Sequence, residues 1–301
     1  MKQVVVLSGK GGTGKTTVTA ALATLACRDT SLVMVDADVD AANLELVLKP
    51  EVQQETVFYS GLEAVIDPDS CLACGDCAEV CRFDAVLSGT PYTIDPIACE
   101  GCVACMYACP PQAITMLEAK SGRWMRSNTR CGTLFHAELF AGQENSGKLV
   151  AELRSRSRAW AQEKQAGLVL VDGPPGIGCA VIAASTGMDL ALLVTEPTIS
   201  GVHDLQRIFQ TTRHFQIPAL VVINKADLNE ARSAEIRAFC EVNGTRVAAE
   251  IPFDHAVPQA MVAGGPVTDI KNSEASVILR ALWSMLKGDF LQETNRQEIS
   301  S

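Results

Sequence analysis

Short apolar runs recur along the chain, each followed by a polar or glycine-rich break and then by a stretch with helical spacing. Val4–Leu7, Leu32–Val35 and Leu168–Val171 are continuous and largely β-branched. Such runs read as parallel strands buried on both faces. Similar runs at 190–195, 219–224 and 245–251 are separated by helical stretches, and a helix is expected over about residues 16–27. The alternation holds from the start to about residue 49, resumes near 148 and continues to 287. It predicts an α/β fold, a doubly wound parallel sheet that gathers ligands at its strand C-termini. The pattern breaks between the two stretches. We therefore expect a discontinuous domain over 1–62 and 120–290, a small α+β insertion over 63–119, and a polar tail over 291–301.

Composition narrows the classes. The chain has 301 residues, 48% of them hydrophobic, enough for one sizeable core with an extra module. Its net charge of −10 argues against nucleic-acid binding, which needs a basic surface. No apolar run approaches the roughly 20 residues of a membrane span. The opening Met1-Lys2-Gln3-Val4 runs straight into a strand, so no secretion signal is read and a cytoplasmic location with reduced cysteines is expected. Leu279–Leu286 has two readings, a membrane-surface helix or one packed on the sheet. The residues after it are acidic (Asp289, Glu293, Glu298 against Arg296), which favours packing on the sheet and no membrane partner. His136, His203, His214 and His255 show no ligand spacing and read as surface or capping residues.

The first strand runs into Gly9-Lys10-Gly11-Gly12-Thr13-Gly14-Lys15-Thr16, a full G-x-x-x-x-G-K-T loop. Glycines let backbone N–H groups close around phosphates; Lys15 reaches the β- and γ-phosphates, and the Thr16 hydroxyl binds Mg²⁺. The same residues satisfy G-x-G-x-x-G, but a dinucleotide site does not require Lys15-Thr16. The second strand ends in Asp36-Ala37-Asp38-Val39-Asp40, and the strand over 168–171 in Asp172-Gly173-Pro174-Pro175-Gly176. Carboxylates there can order Mg²⁺-bound water or orient an attacking water. Asp40 has the alternative of capping the next helix.

Cysteines carry the second chemistry. Cys71, Cys74, Cys77 and Cys81 fall at C-x2-C-x2-C-x3-C, and Cys99, Cys102, Cys105 and Cys109 repeat it at a 28-residue offset, with Pro110 following. Three thiolates at this spacing wrap one [4Fe–4S] cube, and the fourth cysteine reaches the other cluster. The sets are then Cys71, Cys74, Cys77 and Cys109, and Cys99, Cys102, Cys105 and Cys81. Zinc sites more often use separated C-x2-C pairs. Arg82 replaces the usual proline after Cys81 and would raise the potential of that cluster. Five acidic residues stand against Arg82 over 70–110, a surface suited to a basic redox protein or to keeping the module in solution. Cys27 and Cys240 fall in helical patterns and read as core residues.

Lys10-Gly11-Gly12-Thr13-Gly14-Lys15-Thr16-Thr17 resembles the deviant Walker A motif of the MinD/ParA/nitrogenase-iron-protein superfamily. That resemblance implies ATP, Mg²⁺ and a dimer, homodimeric or with a paired paralogue, in which Lys10 crosses to the partner's nucleotide. It also implies roles at matching positions. Asp38 positions water, Asp36 supports it, and Asp172 holds a Mg²⁺-bound water with Thr16. Gly176 senses the γ-phosphate and Asn224 contacts adenine, with Pro252 near the base. Asn224-Lys225-Ala226-Asp227 is also similar to the guanine motif of GTPases, which leaves GTP open. The stretch 122–148 resembles the linker of MinD-type ATPases that carry an inserted ferredoxin domain, so the resemblance spans about residues 1–287. Cys179 falls where the nitrogenase iron protein carries a cluster ligand, with Cys131 a second candidate; a packing cysteine is the competing reading. The function expected is nucleotide-gated electron transfer to an unknown redox partner. The alternatives are iron–sulfur or metallocofactor assembly and carriage, and a MinD/ParA-like spatial organiser.

Overall fold

The structure is a computed structural model that describes residues 1–291; the polar tail expected beyond them lies outside the described residues. In chain order the elements begin β1 (Lys2–Ser8), α1 (Lys15–Ala26), β2 (Leu32–Asp36), α2 (Leu44–Leu48) and β3 (Glu51–Ile66). Then come α3 (Asp76–Glu79), β4 (Val86–Leu87), β5 (Thr93–Ile94), α4 (Ala104–Ala108), β6 (Ile114–Thr129) and β7 (Gly132–Leu139). The chain continues with α5 (Ser146–Glu163), β8 (Leu168–Pro175), α6 (Cys179–Ser185), β9 (Leu190–Thr195) and α7 (Ile199–His214). It closes with β10 (Ala219–Asn224), α8 (Glu230–Val242), β11 (Arg246–Ile251), α9 (Ala256–Val262) and α10 (Glu274–Leu286).

These divide into two compact units, one over 1–55, 125–137 and from 146 onward, the other over 56–124 and 138–145. In the first unit the sheet runs β11-β10-β9-β1-β8-β2-β7. The pairings from β11 to β7 are parallel. Such strands are covered on both faces, which is why their sequences are apolar throughout. β1 sits between β8 and β9, and the register sets Asp36 beside Asp172, so the two acid-bearing strand ends lie side by side. α1 is buried nearly all round. It packs in a core with Met34, Leu134, Leu170, Leu192 and, from α10, Leu279, Leu282, Trp283 and Leu286. The C-terminal amphipathic stretch is thus a sheet-covering helix. No helix among the described residues is long and apolar enough to cross a membrane.

One expectation is corrected here. The stretch 122–148 does not serve as a linker: most of it forms β6 and β7, and β7 pairs in parallel with β2 through Val33↔Thr133 to Asp36↔His136. Arg123, Arg126 and Ser127 flank the pair Trp124 and Met125, so these strands have no continuous apolar run to mark them. His136 is corrected with them: it is 3% exposed, its ring contacting Ser127 Oγ at 2.8 Å and Glu45 at 3.3 Å.

In the second unit β4 and β5 form an antiparallel pair, Val86 opposite Ile94. The core is small: Ala64, Cys77, Cys105 and Ile114, with Ile66, Val86, Tyr92, Ile94 and Met116 against it. The duplication read in the sequence is repeated in structure. A left-handed residue, Gly75 or Val103, leads into a short helix whose second residue is Cys77 or Cys105.

Candidate functional site

The loop between β1 and α1 borders a cavity of about 820 Å³ at the C-terminal ends of the parallel strands. Gly12 and Gly14 hold φ of 78° and 92°, a region L side chains rarely adopt, and a Cβ on Gly14 would strike the Asn224 amide. Lys15 opens α1 and is 6% exposed. A lysine burying its stem beside carboxylates, at a helix N-terminus, suits an anion.

Asp172 ties the end of β8 to α1. Its buried carboxylate accepts from Thr16 Oγ1 at 2.6 Å and Thr19 Oγ1 at 2.9 Å. Burial pushes its pKa up, against the pull of the Thr16 bond and Lys15. Asp36 is wholly buried and accepts backbone N–H groups of Asp38, Asn43 and Leu44 at 3.0–3.2 Å, which fixes the turn after β2. Burial, then the neighbouring Asp172 charge, holds its carboxyl well above the usual range. Asp38 is half-buried on the cavity wall; burial raises its carboxyl and Lys15 opposes the shift. Asp40 lines the cavity as well, but the residue preceding α2 is Asn43, so Asp40 does not cap that helix.

The far wall is built from Asn224, Lys225, Pro252, Phe253, Val257, Pro258 and Met261. Asn224 Nδ2 donates to the Thr13 carbonyl at 2.8 Å, tying the end of β10 to the loop. The Lys225 ammonium is held by Glu196 at 2.6 Å. Asp227 Oδ1 accepts the Phe253 N–H at 2.6 Å, so it braces the loop after β11.

In the second unit both cysteine runs repeat one order of burial: half-buried, exposed, buried, half-buried. Burial raises the Cys77 thiol, with Cys109 and Cys74 as its like-charged neighbours; Cys105 is raised the same way, with Cys99 and Cys102 beside it. A cavity is lined by Cys81, Cys99, Cys102 and Cys105 among Phe83, Val86, Ile94 and Met116. The Ala113 N–H donates to Cys109 Sγ at 3.3 Å. No three His, Cys, Asp or Glu side chains among the described residues converge closely enough to hold a single metal ion.

Residues 4–267 match the model of the CobQ/CobB/MinD/ParA nucleotide binding domain. The chain belongs to this family. It is 32% identical over 289 residues to an uncharacterized protein of Methanocaldococcus jannaschii, covering 95% of this chain and 96% of that one. A chloroplastic septum site-determining protein MinD homolog of Arabidopsis thaliana is 25% identical over 98% of this chain and 78% of its own length. The septum site-determining protein MinD of Pyrococcus horikoshii, complexed with Mg-ADP, shares the fold. It superposes with a TM-score of 0.58 at 19% identity, over 95% of this chain and 96% of that one.

For this MinD/ParA-family chain, the structure brings Gly11, Gly12, Gly14, Lys15, Thr16, Thr17, Asp38, Asn224 and Pro252 to one cavity. Two residues point elsewhere. Lys10 Nζ donates within its own chain to Ser200 Oγ at 2.8 Å and Thr198 Oγ1 at 3.3 Å. Gly176 N–H donates to the Ser8 carbonyl at 3.0 Å. Gly9 packs against the Asp204 backbone, where a Cβ would collide. Cys179 opens α6 on the cavity wall. Cys131 precedes β7 at the opposite edge of the sheet, where the parallel strands begin, so it is not a second ligand beside Cys179. Thr19, Glu196 and the Asp227 brace are not read in the sequence; only Thr19 leaves a trace, three residues after Thr16 on the same helix face.

Proposed function

We propose that this chain hydrolyses ATP and works as a nucleotide-dependent switch, two copies closing so that each Lys10 reaches the other's nucleotide. The observation that carries this reading is the convergence of Lys15, Thr16 and Asp38 on one cavity walled by Asn224 and Pro252, with Asp172 bonded to Thr16 behind it. Backbone N–H groups of the loop bind phosphate, and Lys15 adds charge. Thr16 and Asp172 would hold Mg²⁺, which when bound neutralises phosphate charge. Asp38 orients the attacking water from the opposite wall. Lys10 leaves Thr198 and Ser200 on closure, and Gly176 N–H leaves Ser8 to face the phosphate. Asp227, engaged with Phe253, is withdrawn from reading a guanine edge, which favours ATP over GTP. Lys10→Ala is expected to bind ATP like the parent yet neither dimerise with MgATP in analytical ultracentrifugation nor hydrolyse it. A variant doing both at parental rates overturns the proposal.

We further propose that Cys71, Cys74, Cys77 and Cys109 hold one [4Fe–4S] cluster and Cys81, Cys99, Cys102 and Cys105 another. The support is the doubled spacing, the repeated burial order, and thiols grouped across the two runs as that assignment requires. A four-iron cube spreads its thiolates farther apart than a single ion does. Bound clusters would supply one-electron carriage, giving an output in which ATP gates electron delivery to a basic redox protein. The relatives' names favour a different output of the same switch, spatial organisation of the MinD kind, and support it more directly. Cluster carriage to other proteins is the third. Dithionite-reduced protein, purified anaerobically, distinguishes them. MgATP-dependent reduction of an acceptor supports electron delivery; MgATP-dependent sedimentation with anionic vesicles or DNA supports the organiser; transfer of iron to an apo-ferredoxin supports carriage.

A further inference from the structure

Two cysteines lie outside both sites and beside each other. Cys27 caps the C-terminal end of α1, its sulfur 3.6 Å from the Thr24 carbonyl. Cys131 sits in the turn between β6 and β7, 4% exposed. Although far apart in sequence, they pack in the same core cluster, and after burial the neighbouring Cys27 is what raises the Cys131 thiol most. Both border a surface cavity of about 380 Å³ at the N-terminal ends of β2 and β7, away from the nucleotide loop. Arg130 and Lys164 line it too, paired with Asp269 and Glu163 respectively.

We propose that Cys27 and Cys131 form a dithiol site that exchanges with small anionic disulfides of the glutathione class and closes to an intramolecular disulfide. Cys27 is the more open of the two and reacts first. Its thiolate attacks one sulfur of the small disulfide, breaking that S–S bond and releasing one thiolate. Cys131 is the resolving thiol. Burial holds it at about 12, so it stays protonated in the resting state. It yields its proton to the departing thiolate as its sulfur displaces the second small thiol from Cys27. Two electrons pass from the two cysteines to the small disulfide, which leaves as two thiols. The Arg130 guanidinium and Lys164 ammonium on the lining offer donors to the carboxylates of such a disulfide, in competition with Asp269 and Glu163. The closed form fastens the end of the helix that begins at Lys15 to the turn between β6 and β7. The loop it closes, about 100 residues long, contains every cysteine of the two runs.

The test uses the full chain, purified anaerobically and poised in glutathione buffers of rising oxidised fraction. Free thiols are then alkylated and the peptides mapped by mass spectrometry. The peptides carrying Cys27 and Cys131 are expected to become linked, with the loss of two hydrogens, and to separate again with dithiothreitol. Cys131→Ser is expected to stop at the Cys27–glutathione adduct that the parent resolves. Full alkylation of both cysteines in oxidised glutathione alone overturns the proposal, as does an unresolved adduct on the parent protein; neither result bears on ATP hydrolysis.

Discussion

At the scale of single residues, the site divides into a part whose chemistry demands neighbours in sequence and a part built by distant contacts. Glycines, Lys15 and Thr16 must lie on one turn and one helix start to wrap a phosphate, so they form a motif. Thr19, Glu196 and Asp227 act through bonds to residues 153, 29 and 26 positions away and leave no local signature. Asp227 shows the difference best. By spacing alone it belongs to a guanine motif; by geometry it holds the Phe253 N–H. Asp227→Ala is therefore expected to weaken ATP binding about tenfold, the worth of a ~1.4 kcal/mol contact. Because the contact braces the wall and does not read the base, GTP binding should weaken by no more than ATP binding does. Isothermal titration with both nucleotides checks this, and a selective loss of GTP binding would show that Asp227 reads the base.

Elements are held where the site needs them by buried polar contacts at their ends. α6 follows directly on the Asp172 loop and is only 7 residues long, too short to be stable alone. Arg154 of α5 supplies what it lacks: its guanidinium, 7% exposed, donates to the Ala184 and Thr186 carbonyls at the end of α6 and to Gln3 of β1. Burial, aided by Arg158, lowers its pKa to about 10, still charged at neutral pH. Arg154→Met leaves those acceptors buried and unpaired, at about 3 kcal/mol by urea unfolding. Asp254 plays the corresponding part beside the far wall of the cavity, accepting from Ala256 N at the start of α9 and from Ser273 and Ala275 at the start of α10. The Ser273 bond holds its carboxyl below the ordinary 3.8. Its stabilisation is therefore present above that range and lost as pH falls through the lower folded value. Urea midpoints measured from pH 7 to pH 2 should fall less steeply in Asp254→Asn than in the parent, from a lower starting point.

Across the whole molecule, strands of continuous apolar sequence were legible because burial on both faces writes itself into every position. β6 and β7 were not, because their charged residues interrupt the pattern. The duplicated cysteine spacing was legible as a repeated motif, and the crossed assignment proposed for it makes a demand at this scale. Cys109→Ser should impair the cluster of the first run, and Cys81→Ser that of the second, as judged by iron content and electron paramagnetic resonance of the reduced protein. Losses falling instead on each cysteine's own run would refute the crossing. The parallel pairing of β7 with β2 has a last consequence. The segment bearing the cysteines returns to the nucleotide-binding unit as an integral strand, one removed from Asp172 and register-matched to Asp36. Shortening the chain within 63–119 spares that strand. A deletion reaching residue 139 would strip the backbone of β2 bare along one side, turning an interior strand into an adhesive rim open to aggregation.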